Sequence, residues 1–290
     1  MNTNVKFVLD SSSDIPWDIS EKLGIEVVPL SVTIYNEEFK ENKDFDIKSY
    51  YEHFEKDPNF IPKTSQPSPG EFMEAYFKLV EEGVKDIIVI TISSALSGTY
   101  NSARLAADEL KEFEEKVNVY LVDSKNASYP AVFLMRHGME LLEKGMNPEE
   151  VAKVLNEQAV NIKTHILVPT LKYLHMGGRL SSAKYMMGRL LKTKPIISVD
   201  EEGKLFAADK VTTINDGLDR LIELSVPDPN KLPNQVAFVH TNAEELAKEL
   251  AERFKVKYPE VPYEIILSRT TISAHVGPKG VSIISDYFNY

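Results

Sequence analysis

The sequence contains no cysteine, and this absence removes several classes of chemistry. Without thiols the chain forms no disulfide, uses no thiolate nucleophile and offers no cysteine ligand to a metal. Such a composition fits a reducing cytoplasm. Long hydrophobic runs are also missing: none approaches the roughly 20 residues of a membrane-spanning helix, and the first residues lack a signal-peptide pattern. We therefore expect a cytoplasmic protein that makes at most transient contact with a membrane surface.

Positive charge is scarce in most of the chain. The 290 residues include 33 Lys and Arg against 44 Asp and Glu, a net charge of −11. Because nucleic-acid binding needs a basic face, this balance argues against a nucleic-acid partner. One stretch differs: between Gln158 and Val199 there is no acidic residue, and the basic residues are Lys163, Lys172, Arg179, Lys184, Arg189, Lys192 and Lys194. These residues either form a basic surface for a partner or are scattered over several faces after folding.

The order of hydrophobic segments predicts an α/β fold. Short β-branched runs alternate with longer amphipathic segments, which is typical of strands and crossover helices in a mainly parallel sheet. We expect an N-terminal α/β domain over residues 1–160, with helices flanking a mainly parallel sheet. A smaller C-terminal α/β domain is expected over residues 161–290. The segment Glu26–Ile34 is predicted to be one extended element. An apolar helix is predicted over Ser182–Leu191, and a hairpin around Glu201-Glu202-Gly203 is predicted to join Pro195–Val199 to Lys204–Val211.

Two loops rich in hydroxyl groups are the main functional signal. The predicted strand Asp86–Ile92 is followed by Ser93-Ser94-Ala95-Leu96-Ser97-Gly98 and then by a predicted helix. A second loop, Lys63-Thr64-Ser65-Gln66, precedes a helix with a Ser68-Pro69-x-Glu71 start, which is a capping-box pattern. Helix N-termini offer unpaired N–H groups and partial positive charge. The two loops together therefore indicate one shared site for an anion.

The type of donor favours a carboxylate over a phosphate. The glycine-rich motifs GxGxxG and GxxxxGK[ST] are absent, and no His, Asp or Glu spacing indicates a metal site, so we expect no cofactor. Alternatives remain at this point. Ser97 can cap the helix while the other hydroxyls face solvent. Ser94 or Ser97 can pair with His275 in a serine hydrolase, although GxSxG is absent. A sensor of small carboxylates or phosphate fits the same loops.

Further motifs accompany the two hydroxyl loops along the chain. The loops extend to Pro67-Ser68 and to Thr99-Tyr100-Asn101-Ser102-Ala103, and the other motifs are Gly177-Gly178-Arg179, His275-Val276-Gly277-Pro278, Asp10-Ser11-Ser12-Ser13-Asp14 and Val122-Asp123-Ser124. Together and in this chain order, these motifs resemble the DegV family of bacterial fatty-acid-binding proteins. One departure is Lys279, which stands within Gly277-Pro278-Lys279-Gly280 where the family usually has Gly-Pro-Gly.

The resemblance implies a two-domain α/β fold that encloses a long-chain fatty acid such as palmitate. It implies that Thr64 and Ser94 hold the carboxylate, while His275 and Arg179 lie near the head group. Ser93 and Ser97 belong to the same hydroxyl loop and are included in the expected site. The resemblance further implies a non-catalytic carrier, which presents its fatty acid to a separate fatty acid kinase that forms an acyl phosphate for lipid synthesis.

The acyl chain is expected to dominate the binding energy. At about 0.8 kcal/mol per buried CH₂, a long chain contributes about 12 kcal/mol before ordering costs, against about 1.5–3 kcal/mol for each charged hydrogen bond. Candidates for the tail pocket are Tyr185, Met186, Met187, Leu190, Leu191, Ile196 and Ile197, which form a crowded apolar stretch. Without the resemblance to the family, ordinary core packing is the preferred interpretation of this stretch.

Overall fold

The computed structural model describes residues 4–180 and 193–289. In the first half the strands are β1 (Val5–Asp10), β2 (Glu26–Val28), β3 (Ser31–Ile34), β4 (Glu37–Lys40), β5 (Lys63–Ser65), β6 (Asp86–Thr91) and β7 (Asn118–Asp123). The helices there are α1 (Trp17–Leu23), α2 (Ile47–Lys56), α3 (Pro69–Glu81), α4 (Thr99–Phe113), α5 (Pro130–Glu143) and α6 (Pro148–Gln158).

The second half contributes strands β8 (Ile162–Leu167), β9 (Lys194–Val199), β10 (Leu205–Val211), β11 (Gln235–His240), β12 (Tyr263–Leu267) and β13 (Val281–Asp286). Its helices are α7 (Lys172–Met176), α8 (Ile214–Ser225), α9 (Glu244–Lys257) and α10 (Thr270–Val276). The α/β class predicted from the sequence is confirmed. The predicted apolar helix over Ser182–Leu191 lies outside the described residues, as do Lys184, Arg189 and Lys192.

Three sheets organise the described elements. A parallel sheet has the strand order β2-β1-β6-β7, as expected for the first half. A wider sheet has the order β10-β9-β8-β13-β11-β12 and is antiparallel except between β11 and β12. A small antiparallel sheet, β4-β3-β5, carries Thr64.

One expectation differs from the structure, and one feature of the second half could not be predicted. The segment Glu26–Ile34 is not one element, because β2 joins the parallel sheet and β3 joins the small sheet, with Pro29 and Leu30 between them. The sheet of the second half, whose strand directions the sequence left open apart from the hairpin, is mostly antiparallel. Its final strand β13 inserts between β8 and β11 and runs antiparallel to both, which is a long-range pairing that local spacing does not encode.

Helix α5 packs between the two large sheets. Nine of its residues are buried, among them Phe133 and Leu134. Its core cluster includes Ile88 and Ile90 of the parallel sheet and Ile284 of the antiparallel sheet. A helix that is apolar on most of its surface is expected in such a buried position. Within the described ranges, no helix has both the length and the hydropathy to cross a membrane.

Candidate functional site

The two hydroxyl loops lie against each other in the folded chain. Gly98 precedes α4, and a Cβ at this position would lie 2.2 Å from Gln66 Oε1, so only glycine permits the observed contact. Gln66 Nε2 donates to Ser102 Oγ in the first turns of α4 at 3.0 Å. The loop after β5 and the loop after β6 therefore form one continuous surface, as their composition indicates.

That surface closes one end of an internal cavity of about 340 Å³. This volume falls within the range of about 300–1,000 Å³ that is usual for small-molecule sites. The polar end includes Thr64, Gln66, Ser97, Arg179 and His275. The walls are mostly apolar and include Leu30, Ile92, Leu205, Val239, Ile272 and Ile284. The cavity is thus amphipathic, with a cluster of donors at the end that holds Thr64, Arg179 and His275 and with further hydroxyls along its walls.

Thr64 and His275 meet at the polar end. Thr64 Oγ1 lies 2.9 Å from His275 Nε2. Burial, and secondarily the positive charge of Arg179, lowers the pKa of His275 from 6.5 to about 4. The imidazole is therefore neutral near pH 7. When its proton is on Nε2, the ring donates to Thr64, and the Thr64 hydroxyl is left to donate into the cavity.

Glycine residues allow the imidazole ring to lie close to the backbone. A Cβ on Gly177 would lie 2.2 Å from His275 Nδ1, and a Cβ on Gly277 would lie 2.1 Å from the ring of Tyr173. His275 Nδ1 is buried and has no hydrogen-bond partner among residues 4–180 and 193–289. Close packing, in addition to the Thr64 contact, therefore fixes the orientation of the ring.

Arg179 links the hydroxyl loop to the glycine turn. Its Nε donates to the carbonyl of Leu96 at 3.2 Å, and its Nη1 donates to the carbonyl of Gly177. The side chain is exposed and also lines the cavity. Among the described lining residues it is the only one with a permanent charge. One guanidinium beside neutral donors suits a single anionic group.

The three serines of the loop after β6 have different surroundings. Ser93 is buried, and its Oγ donates to the carbonyl of Gly203 at 2.9 Å, which ties the loop to the β9–β10 hairpin. Ser94 is exposed, and its Oγ donates to Asp123 Oδ2 at 2.6 Å. Ser97 lines the cavity, with its Oγ 2.9 Å from Thr99 Oγ1. The structure therefore brings Thr64, Ser97, His275 and Arg179 together at the cavity, and gives Ser93 and Ser94 other partners.

Lys279, the departure from the family pattern, occupies a turn beside the site. Its φ of 64° lies in the left-handed region, which glycine adopts without strain. Its N–H donates to the carbonyl of Thr241 at 2.6 Å. The backbone thus keeps a conformation typical of glycine although the residue is lysine.

The floor of the cavity comes from the antiparallel sheet, which the sequence analysis did not identify as part of the site. Thr164 and Ile166 of β8 line it, as do Ser282 and Ile284 of β13. Both pairs have the i, i+2 spacing of one strand face. Of the predicted tail-pocket residues, Ile196 and Ile197 instead pack in core clusters of the second half. The predicted residues from Tyr185 to Leu191 lie outside the described residues.

Buried carboxylates support the inner wall of the cavity. Asp14 accepts hydrogen bonds from Ser128 Oγ and from Ser268 Oγ, and both serines line the cavity. Burial raises the pKa of Asp14 from 3.8 to about 7, and hydrogen bonds from Ser128 and from the Arg269 N–H oppose this rise. Glu41 likewise accepts from Thr271 Oγ1 at 2.7 Å. These acids hold wall hydroxyls that would otherwise be unpaired.

The contacts at the polar end are those of a binding site. No hydrogen bond joins His275 to Ser94 or Ser97 among the described residues, since His275 Nε2 contacts Thr64 and Ser94 contacts Asp123. A serine nucleophile requires such a base within hydrogen-bond reach. No group of three metal-ligating side chains occurs in the described part of the chain.

The sequence and the fold are similar to those of known proteins. The family model described as "Uncharacterised protein, DegV family" matches residues 4–286. The chain is 35% identical to a fatty acid-binding protein of Thermotoga maritima over 281 residues, which are 94% of each protein. The crystal structure of DegV, a fatty acid binding protein from Bacillus subtilis, matches with a TM-score of 0.87 and 33% identity, covering 98% of this chain and 99% of that one. A DegV lipid binding protein from Thermotoga maritima matches with a TM-score of 0.87 and 32% identity, covering 99% of this chain and all of the other.

Proposed function

The chain belongs to the DegV family, and on that premise we propose that it binds one long-chain fatty acid, such as palmitate, in the cavity between the loops that follow β2, β5 and β6 and one face of the antiparallel sheet. The observation that carries this proposal is the amphipathic cavity. Neutral donors and one guanidinium lie at one end, and the walls are mostly apolar. A fatty acid has the same division into one charged end and a long apolar remainder.

The proposed carboxylate site consists of Thr64, Ser97 and His275, with Arg179 beside them. Thr64 and Ser97 supply hydroxyl donors, and the neutral His275 orients the Thr64 hydroxyl through the 2.9 Å contact. Arg179 supplies positive potential from the exposed side. We favour Ser97 over Ser94 because Ser97 lines the cavity, whereas the Ser94 hydroxyl already donates to Asp123. Ser93 and Ser94 then hold the loop in place.

The tail supplies most of the proposed affinity. Each buried CH₂ contributes about 0.8 kcal/mol, so the affinity for saturated acids should rise about fourfold per carbon until the cavity is filled. The hydrogen bonds to the carboxylate mainly set the direction of the ligand. With its head group beside the exposed Arg179, the ligand presents its carboxylate toward the surface.

This orientation is the basis for a proposed role as a non-catalytic cytoplasmic carrier. A partner fatty acid kinase that approaches the Arg179 side would reach the carboxylate and form an acyl phosphate while the chain stays buried. Lys172, whose Nζ donates to the Pro58 carbonyl, and Arg179 lie near this end of the molecule. Their charge fits a partner surface or anionic lipid head groups. The division into domains at residues 1–160 and 161–290 is part of the same proposal.

The test is a titration of the lipid-stripped full-length protein with palmitate and with hexadecanol, which has the same chain and no carboxylate. We expect one palmitate per chain, tight binding, and markedly weaker binding of the alcohol. For shorter saturated acids, the affinity should fall about fourfold with each carbon removed. Equal affinity for short and long acids would contradict a buried tail and would favour a sensor of small carboxylates. Addition of a DegV-associated kinase and ATP then tests presentation, with acyl phosphate as the expected product.

A further inference from the structure

The cavity wall contains more hydroxyl groups than a plain hydrocarbon chain requires. Apart from Thr64, Ser65 and Ser97, six hydroxyl side chains in the described part of the chain line it: Ser128, Thr164, Thr241, Ser268, Thr271 and Ser282. Burying a hydroxyl without a partner is unfavourable, so each of these groups should have one. The hydrogen bonds of the wall therefore show which groups the protein itself satisfies.

Five of the six hydroxyls have protein partners. Ser128 and Ser268 donate to Asp14, and Thr271 donates to Glu41. Ser282 Oγ donates to the Val239 carbonyl at 3.1 Å. Thr241 Oγ1 accepts from the Gly280 N–H at 2.8 Å. These hydroxyls are parts of the protein's own network.

Thr164 is the exception. The residue is only 4% exposed, and its Oγ1 has no hydrogen-bond partner among residues 4–180 and 193–289. It lies on β8 opposite Ile284 of β13, and Ile166 and Val239 also line the cavity nearby. Among the described residues, this hydroxyl thus lies unpaired in the wall beside Ile166 and Ile284 and borders the space that the proposed ligand fills.

The position of Thr164 is distant from the proposed head group. Val281 begins β13 directly after the loop that follows His275, and Ile284 lies three residues further along the strand. At about 3.3 Å per residue, Thr164 is roughly 10 Å along the sheet from that strand end. A group that contacts it would therefore lie along the acyl chain and not beside the carboxylate.

We propose that the ligand is a fatty acid with an oxygen substituent, a hydroxyl or a ketone, on the interior part of its chain, and that Thr164 hydrogen-bonds to this oxygen. This inference rests on the proposed function and specifies its substrate class. A threonine hydroxyl both donates and accepts, so it pairs with either substituent. A site built to pair with such an oxygen disfavours the plain chain, because the plain chain leaves the Thr164 hydroxyl unpaired.

The experiment is a competition among C18 acids for the full-length protein, read by native mass spectrometry and by titration. The probes are stearate and 3-hydroxy-, 10-hydroxy- and 12-hydroxystearate. We expect an interior hydroxy acid to bind about 3- to 10-fold more tightly than stearate, and the 3-hydroxy isomer to gain no such advantage.

Three variants connect the preference to Thr164. Thr164→Val keeps the shape and removes the hydroxyl, so it should bind stearate and the interior hydroxy acids equally. Thr164→Ser keeps the hydroxyl and should retain the preference. Thr33→Val, on β3 and outside the cavity wall, is the matched control and should behave as the wild type. Thermal unfolding of each variant verifies that the chain is folded.

The possible failures are distinguishable. If the wild type binds stearate as tightly as every hydroxy isomer, or if Thr164→Val keeps the preference, the inference is overturned and the proposed fatty-acid function stands. If the wild type binds none of the four acids, both are overturned.

Discussion

Thr64 Oγ1 and His275 Nε2 lie 2.9 Å apart at the polar end of the cavity. Thr64 belongs to β5 of the small antiparallel sheet, and His275 belongs to α10, the helix that precedes the last strand. The contact therefore joins two distant parts of the sequence at the proposed head-group site. Its integrity depends on both elements and on the close packing of Gly177 against the ring.

Removing the Thr64 hydroxyl should weaken binding of a fatty acid. Thr64→Val retains the β-branched shape in β5 and removes the donor to the carboxylate. Because hydrogen bonds to charged groups contribute about 1.5–3 kcal/mol, we expect palmitate affinity to fall at least about tenfold. Titration of the lipid-stripped variant measures this. The control Thr33→Val lies in the same sheet, outside the cavity wall, and should leave the affinity for palmitate unchanged. If Thr64→Val also bound palmitate with unchanged affinity, Thr64 would have no role in binding the carboxylate.

The two serines of the loop after β6 give a second comparison. Ser97→Ala removes a hydroxyl that lines the cavity, and we expect palmitate affinity to fall by about tenfold. Ser94→Ala removes a hydroxyl that donates to Asp123, so it should cost some stability of the loop and leave affinity within about twofold. Titration and thermal unfolding of both variants separate the two effects. The opposite ranking of affinities would assign the carboxylate to Ser94.

Gly177→Ala should disturb the site through the orientation of His275. The new Cβ would lie 2.2 Å from Nδ1 and 3.1 Å from the Tyr173 carbonyl, so the buried ring must move. Overpacking of this kind costs about 1–3 kcal/mol, and displacement of the ring also breaks the Thr64 contact. We expect lower thermal stability and weaker palmitate binding.

The matched control for that variant is Gly70→Ala in α3. There the nearest atom to the new Cβ is Ser68 Oγ at 3.8 Å, and alanine is the better helix former. This control should be as stable as the wild type or slightly more so, with unchanged affinity. If Gly177→Ala behaved in the same way, close packing would have no role in holding His275.

Asp14 should make stability depend on pH. Burial raises its pKa from 3.8 to about 7, so between these values the folded chain holds a proton that the unfolded chain has lost. The Asp14 contribution to stability is therefore full below about pH 4 and is lost as the pH rises to about 7. The shift corresponds to up to about 4 kcal/mol. Asp14→Asn imitates the protonated acid and should lack this loss.

The measurement is the free energy of unfolding from denaturant titrations between pH 4 and pH 7.5. As the pH rises, the free energy of unfolding of Asp14→Asn should increase relative to that of the wild type. Burial raises the pKa of Asp10 to about 6 and lowers the pKa of His275, so both groups also make stability depend on pH, in opposite directions. Their contributions cancel in the difference between the variant and the wild type. The same titrations of Asp18→Asn, at an exposed position, control for the substitution itself. A constant difference for Asp14→Asn would contradict a raised pKa.

The sequence correctly predicted elements whose formation depends on neighbouring residues. The Ser68 and Glu71 capping box begins α3 as expected, and the strand–loop–helix unit from Asp86 to Phe113 is present. The predicted hairpin near Gly203 is also formed, since β9 and β10 pair antiparallel. Each of these features depends on residues that are close in sequence.

The site required information that the local sequence does not carry. Ser94 and Ser97 have the same chemistry, and only the path of the loop places Ser97 on the cavity. On the cavity face of the sheet, Ile166 follows Thr164 after two positions, and Ile284 follows Ser282 in the same way. A sheet face that packs on a core shows the same pattern. It becomes a cavity floor only because β13 inserts beside β8, which is a long-range event.

Native mass spectrometry of the full-length protein, purified without added lipid, tests the central claim most directly. The account predicts one bound long-chain fatty acid per chain, released on denaturation, and no covalent labelling by a serine-directed fluorophosphonate. An empty chain that becomes labelled at Ser94 or Ser97 would contradict it and would assign the site to a serine hydrolase.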